Sequence, residues 1–455
     1  MAWRISDEPW MGWSRRALDN AKIRLSAGSM GNGNVSPYSY TSEMTVSTAD
    51  DIVLGGSYPS YTSVGSTVPV SLTWEKSTTY DVGLDLDFFN NRLSVSGDYY
   101  RRYTTDMYTA SVALPAVYGT GSPKGNNAEM KTDGWELSLS WRDSFKLGGK
   151  PFDYSIKAMV WDSKSVITKY VNDTGSLGTV KGFIENGGSP SSYYVGMTVG
   201  EIWGYTVAGL FRDQADIDSS AIHDFVQASD KVTRPGQVKI ADLDGNGFID
   251  PGNFAVDDHG DLRIIGNQSP RYRYGVNLSA RWNGIGLSVF LQGVGARDWY
   301  PGSDAGMFWG KYGRPFFALI PSIHNYTDDM YSAERNNWDT AYWPRMTTYQ
   351  SNGTKNWTRL LEIPNTRYIQ SAAYLRVKNI QLDYSFPKHI CSAIRLQGLK
   401  IYVNAENLFT FTPLHKYAPN FDPEGLSYDS DFASAADGYT YPILKSVTVG
   451  VNITF

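Results

Sequence analysis

The stretch Asp242-Leu243-Asp244-Gly245-Asn246-Gly247-Phe248-Ile249-Asp250 has the spacing of a calcium loop. Asp242, Asp244, Asn246 and Asp250 set side-chain oxygens at positions 1, 3, 5 and 9, Phe248 offers its backbone carbonyl at 7, and Gly247 supplies the sharp turn at 6. Position 12 is Asn253, where a bidentate acid ordinarily closes the shell; Asp257, Asp258 or Asp261 substitutes if the loop folds back. Ca²⁺ is the expected occupant, and an ion-free Asp/Gly turn is the competing reading. Helices do not flank the loop, so an ion here stiffens a connection and does not act as a sensor.

A second concentration of chemistry lies in residues 299–357. Trp299, Tyr300, Phe308, Trp309, Tyr312, Trp338, Tyr342, Trp343 and Trp357 are interrupted by Gly302, Gly306, Gly310 and Gly313, with Asp304, Asp328, Asp329, Glu334 and Asp339 among them. Aromatic faces suit the C–H faces of sugars and protein surfaces alike, and carboxylates accept from hydroxyls. Trp309, Trp338 and Trp343 are therefore candidate substrate contacts, with Trp309 first because glycines let a backbone approach closely. The alternative is that these rings give a long loop its own small core. Catalytic patterns are missing: five histidines form no Ser-His-Asp or metal-ligand cluster, and the carboxylates are scattered. The chain does not read as an enzyme.

The elements that must position these residues are strands. In residues 271–282 the apolar set Tyr272, Tyr274, Val276, Leu278, Ala280 and Trp282 alternates with Arg271, Arg273, Gly275, Asn277, Ser279 and Arg281. A period of two puts the sets on opposite faces of a strand. Asn283-Gly284 then closes a tight hairpin, and Ile285, Leu287, Val289 and Leu291 return. The same alternation recurs at Ala21–Ala27, Tyr80–Phe88, Leu93–Tyr99, Trp135–Trp141, Phe152–Val160, Leu375–Phe386, Leu399–Ala405 and Val447–Phe455. A phase slip at Lys378-Asn379 predicts a bulge. One short helix is expected over 219–228, with Asp218 as its N-cap.

About ten strands of about ten residues are the length that crosses a tilted bilayer. Their connections alternate between short (88–92, 142–151, 282–285, 387–397) and long (30–70, 107–131, 164–270, 295–373, 411–444). Antiparallel order puts alternate connections at opposite ends, so all short ones share one side, as in outer-membrane barrels with short periplasmic turns and long extracellular loops. Asp81, Asp85, Asp87, Asp98, Glu136, Asp153, Lys157, Arg273, Arg281, Lys400 and Glu406 point away from the apolar rows, which suits a water-filled or plugged lumen better than a packed core. The expected fold is all-β, an antiparallel transmembrane β-barrel portion.

Composition agrees with this. Residues are 41% hydrophobic and 14% aromatic, and Cys391 stands alone, which excludes a disulfide framework and a thiolate metal site. A net charge of −5 without a basic cluster argues against a nucleic-acid partner. No apolar run approaches the roughly 18 residues of a membrane helix. The opening MAWRISDEPWMGW lacks the basic and apolar regions of a signal peptide, which points to a cytoplasmic protein or to a chain that begins inside something longer.

Three stretches then resemble the SusC/RagA family of TonB-dependent outer-membrane transporters. They are LTWEKSTTYDVGLDLDFFNNRLSVSGDYYRRYTTDMY (72–108), DLDGNGFID with IGNQSPRYRYGVNLSARWNGIGLSVFLQGVG (242–295), and YLRVKNIQLDYSFP, LKIYVNAENLFTFTP and YPILKSVTVGVNITF (374–455); WRISDE (3–8) and KIRLSAGSMGNGN (22–34) are also similar. The resemblance implies uptake of oligosaccharides, or sometimes peptides, across the outer membrane. It implies a SusD-like surface lipoprotein as lid, energy from the TonB complex, and contact with outer-membrane lipid. It also implies that residues 1–455 are the C-terminal part of a larger barrel, without the plug domain and N-terminal strands, and that Phe455 ends the strand read by the assembly machinery. The competing function is a surface or secreted all-β glycan-binding module without transport.

Overall fold

The computed structural model describes residues 1–33, 41, 44–65, 72–110, 117, 124–172, 175–177, 193–223, 233–301, 305–309, 329–345, 363–426 and 443–455. Its frame is an 11-stranded sheet. In chain order its strands are β1 (Ala2–Arg4), β2 (Leu18–Asn32), β3 (Glu75–Phe88), β4 (Leu93–Ala110), β5 (Lys124–Leu147), β6 (Lys150–Lys169), β7 (Arg271–Trp282), β8 (Ile285–Ala296), β9 (Tyr374–Ser385), β10 (Gly398–Phe411) and β11 (Ser446–Thr454). Every strand pairs antiparallel with its neighbour in sequence. The one strand that alternation does not reveal is β1, whose three residues are too few to show a period.

The turns follow their local chemistry. Asn283 (φ 48) and Gly284 (φ 89) both take the left-handed backbone that closes the β7–β8 hairpin. The predicted bulge is present: Val377 pairs with Leu291 and Asn379 with Phe290, leaving Lys378 as the extra residue. The predicted helix is displaced. It spans Gln214–Asp218, and Asp213 caps it by accepting from Asp216 N at 2.8 Å. Ser219 ends that helix as its C-cap, and Ile222 pairs in parallel with Phe248, so residues 219–223 do not continue it; 224–228 lie outside the described residues.

Strand length exceeds expectation. β5 has 24 residues and β6 has 20, roughly twice what a bilayer needs. The apolar face shows where the membrane lies. Across β3 to β6, Val82 pairs with Tyr99, Tyr99 with Trp135, and the row below continues through Leu137, Leu139 and Trp141. At the short-turn end stands a belt of rings: Phe145 and Phe152 at 5.0 Å, Tyr384 and Phe386 at 5.0 Å, and Trp141 donating to Tyr154 Oη at 3.0 Å. Asp143, within this belt, pairs with Arg92 at 3.4 Å. From Trp135 to Phe145 the strand runs about 33 Å at ~3.3 Å per residue, which a tilt of about 40° reduces to the roughly 25 Å of an outer-membrane apolar band. The large side chains of this face are exposed, Val449 by 73% and Val451 by 56%. A sandwich would bury them; lipid accommodates them.

The opposite face is a polar ladder. Arg24 lies 2.8 Å from both Asp85 and Asp98, Ser96 donates to Asp85 at 2.7 Å, Ser94 donates to Asp87 at 2.6 Å, and Lys400 lies 3.1 Å from Asp383. Tyrosines fill this face where the neighbouring strand has glycine: a Cβ on Gly134 would lie 2.3 Å from the Tyr100 ring, and one on Gly450 2.3 Å from Tyr402. The ring covers backbone that glycine leaves bare and locks the pair.

The hydrophobic core is not in the sheet. The buried cluster draws on three long connections, with Tyr205, Leu262, Trp299, Phe308, Trp343, Tyr368 and Leu414 each at 0–1% exposure. These connections leave the same end of the sheet, so packing against one another is the only way to remove their apolar residues from water.

Candidate functional site

The Asp-rich loop folds tightly on itself. Asp242 accepts from Gly245 N at 2.6 Å and Gly247 N at 2.9 Å, and Asp244 accepts from Asn246 N at 3.0 Å. The loop does fold back: Asp261, 0% exposed, accepts from Leu243 N at 2.6 Å and Asp250 N at 3.0 Å. Asp242, Asp244 and Asp261 bring carboxylate oxygens within 4.8 Å of one another. Asp250 is engaged elsewhere, accepting from Gly252 N at 2.8 Å and Asn246 Nδ2 at 2.9 Å. Asn246 Oδ1 accepts from Phe248 N at 2.7 Å, and Asn253 donates to Asp258. Of the expected ligands, then, Asp242 and Asp244 converge, and Asp261, one of the three substitutes for position 12, joins them while Asp250 does not.

Electrostatics within the loop are uneven. Backbone donors, Gly247 N above all, hold the Asp242 carboxyl below its ordinary range. Burial, reinforced by Asp244 and Asp242, pushes Asp261 up. Three carboxylates at this separation repel, and a cation relieves that repulsion. Behind the loop, His223 is buried and neutral: Nδ1–H donates to Ala221 O at 2.8 Å and Nε2 accepts from Ile240 N at 3.0 Å. Burial holds its imidazole below the ordinary range.

The aromatic connection corrects an expectation. Trp309 is 2% exposed and Trp343 0%. Phe308 meets Trp309 at 4.9 Å and Trp343 at 5.4 Å, and Trp343 stacks on Tyr368 at 5.6 Å. Rings enclosed by rings have no face left for a ligand, so Trp309 and Trp343 are core residues of the loop layer. Trp338, 36% exposed, keeps surface; Tyr312 and Trp357 lie outside the described residues.

One feature of this layer escapes sequence reading. Arg376 on β9, its side chain 3% exposed, pairs with Asp422 at 2.7 Å and Glu424 at 3.1 Å, and Lys378 reaches Glu424 at 2.7 Å. Arg297 donates to Pro423 O at 3.0 Å and Leu426 O at 2.9 Å. Together they clamp the connection after β10 onto the sheet. The only sequence signal is the Arg376/Lys378 pair facing an Asp-Pro-Glu turn 46 residues away.

An antiparallel meander with an apolar outer band, a polar inner ladder and folded loops at one end is a portion of an outer-membrane barrel. A family model described as TonB dependent receptor-like, beta-barrel, matches residues 13–217. TonB-dependent receptor P3 of Formosa agariphila is 26% identical over 100% of this chain and 41% of that protein. TonB-dependent receptor SusC of Bacteroides thetaiotaomicron is 24% identical over 100% of this chain and 39% of that protein. Among solved structures, the RagAB peptide importer in its open-open state aligns with a TM-score of 0.69 at 19% identity, covering 100% of this chain and 42% of that one. That likeness is one of fold. The chain spans about two-fifths of the length of the curated relatives it matches.

Over residues 13–217 the chain is similar to the TonB-dependent receptor-like β-barrels, and over its whole length to TonB-dependent receptors. Its likeness is to receptors of the SusC/RagA type, and its place is the outer membrane.

Proposed function

We propose that this chain forms part of the wall and extracellular face of an importer of oligosaccharides, with short peptides as the second substrate class. A SusD-like surface lipoprotein closes it as a lid, and the TonB complex supplies energy. The observation that carries this reading is the pairing of an inner polar ladder with loops folded into one layer above it. A large polar solute needs such a lumen, and an ordered rim gives a lid a surface to meet. The exposed apolar band disfavours the alternative of a secreted glycan-binding module.

Deleting the gene that carries this chain in its native host is expected to abolish growth on one glycan as sole carbon source, and the lipoprotein is expected to co-purify with the intact protein. Unchanged growth on every glycan tested, with loss of peptide uptake, would move the substrate to peptides; no uptake defect at all would sink the proposal. Phe455 provides an internal control. It ends an outward row and is 82% exposed, and we assign it to the signal that the assembly machinery reads. Phe455→Asp should mimic the deletion through loss of protein from the outer membrane.

We also propose that the Asp242–Asp261 cluster holds Ca²⁺ as a structural ion. A ligand that binds only the folded state stabilises it by mass action. Asp242→Ala with Asp244→Ala is therefore expected to lower the thermal midpoint by several degrees in millimolar Ca²⁺ and by little in chelator. Equal losses in both conditions would make the loop a plain turn.

A further inference from the structure

Just above the apolar band, the outward face of β3 to β6 changes character within one residue pair. The last apolar row is Val82, Tyr99 and Trp135, set side by side by the strand register. The next row is Tyr80, Arg101, Asp133 and Lys164, again direct cross-strand neighbours. One pair higher, Lys131 stands opposite Tyr103. Three cations thus surround one carboxylate: Arg101 Nε lies 2.5 Å and Lys131 Nζ 3.4 Å from Asp133, and Lys164 faces it across the ladder. Tyr99 Oη donates to the same carboxylate at 3.1 Å.

The local balance is three positive charges against one negative, in a chain whose net charge is −5. The flanking pairs are already neutral: Arg271 is bidentate to Asp162, and Lys169 pairs with Glu129. Asp133 holds Arg101 and Lys131 in place but leaves the Arg101 side chain 43% exposed. Lys164 is exposed and makes no ion pair among the described residues.

The height of this cluster determines what it meets. It sits one pair beyond Tyr99 and Trp135, on the long-loop side, where the tails of the outer leaflet give way to headgroups. Clustered cations at that depth attract anionic headgroups, and guanidinium and ammonium groups form strong charge-assisted hydrogen bonds to phosphate. We infer that Arg101, Lys131 and Lys164 bind the phosphate of an anionic lipid of the outer leaflet, with Tyr99 and Trp135 against the upper part of its tails. The site anchors the barrel wall at a defined depth and orientation. It is separate from substrate uptake, because the inner ladder lies on the other face of the same strands.

The test uses the whole protein that carries this chain, purified in zwitterionic detergent and titrated with phosphatidylglycerol or phosphatidylcholine while bound lipid is counted by native mass spectrometry. Phosphatidylglycerol is expected to bind at least tenfold more tightly than phosphatidylcholine. Arg101→Gln with Lys131→Gln and Lys164→Gln should remove that preference, whereas Lys157→Gln, which removes one charge from the inner face, should keep it. Lys164→Gln alone breaks no ion pair among the described residues and should weaken phosphatidylglycerol binding severalfold, so the result does not depend on the triple variant folding. Millimolar inorganic phosphate should not displace the lipid. Equal binding of the two lipids by the unaltered protein overturns the inference, as does an equal loss in Lys157→Gln. Complete displacement by inorganic phosphate also overturns it, since the site would then be one for free anions.

Discussion

Arg376→Ala is expected to destabilise the docking of residues 413–426 on the barrel wall by ~3–5 kcal/mol, because it removes a buried guanidinium and leaves the largely enclosed Asp422 carboxylate without its cation. Arg376 is almost fully enclosed, touches Asp422 and Glu424 together, and donates to Thr410 Oγ1 at 2.9 Å. Lys378 stays beside Glu424 but cannot replace the guanidinium at Asp422. Hydrogen exchange of 413–426 in the detergent-solubilised protein measures the effect, which should appear there well before the sheet exchanges. Arg92→Ala, which breaks the more exposed pair with Asp143, should cost no more than about 1 kcal/mol. Neutralising the whole buried set, with Arg376→Met, Asp422→Asn and Glu424→Gln, should recover part of the loss. Similar protection of 413–426 in Arg376→Ala and the unaltered protein would show that apolar packing of Leu414 and Phe421 alone holds this connection.

Trp343→Ala should have an effect of the same size for a different reason. Removing a ring at 0% exposure, surrounded by Phe308, Trp309 and Tyr368, leaves a cavity that rigid neighbours cannot fill, at about 3–5 kcal/mol. The expected outcome is a loop layer that melts below the sheet, with substrate uptake lost at growth temperature and partly restored on cooling. Trp343→Phe should retain most of the stability. Trp338→Ala, at a partly exposed position, should shift the loop midpoint little. If Trp343→Ala left the melting of the layer unchanged yet abolished uptake at every temperature, the ring would be a direct substrate contact after all.

Almost everything about the sheet was legible in the residues. Alternation carries its own face assignment, so the apolar rows, the polar ladder, the Asn283-Gly284 turn and the bulge at Lys378 all follow from local pattern. Even the short and long connections sort themselves, since antiparallel order decides which end each one occupies. What was not legible is everything that joins residues far apart in the chain. The aromatic residues of 299–357 satisfied both a binding and a core reading; only the convergence of three connections on one end of the sheet encloses Trp309 and Trp343. Asp257, Asp258 and Asp261 were equal candidates to complete the Asp-rich loop, and only the turn of the backbone that presents Leu243 and Asp250 N–H to Asp261 selects it. Arg376 meets Asp422 and Glu424 across 46 to 48 positions for the same kind of reason. Strands are specified by period, which each segment holds in itself, whereas a composite core and its buried ion pairs exist only once the sheet has brought its connections together.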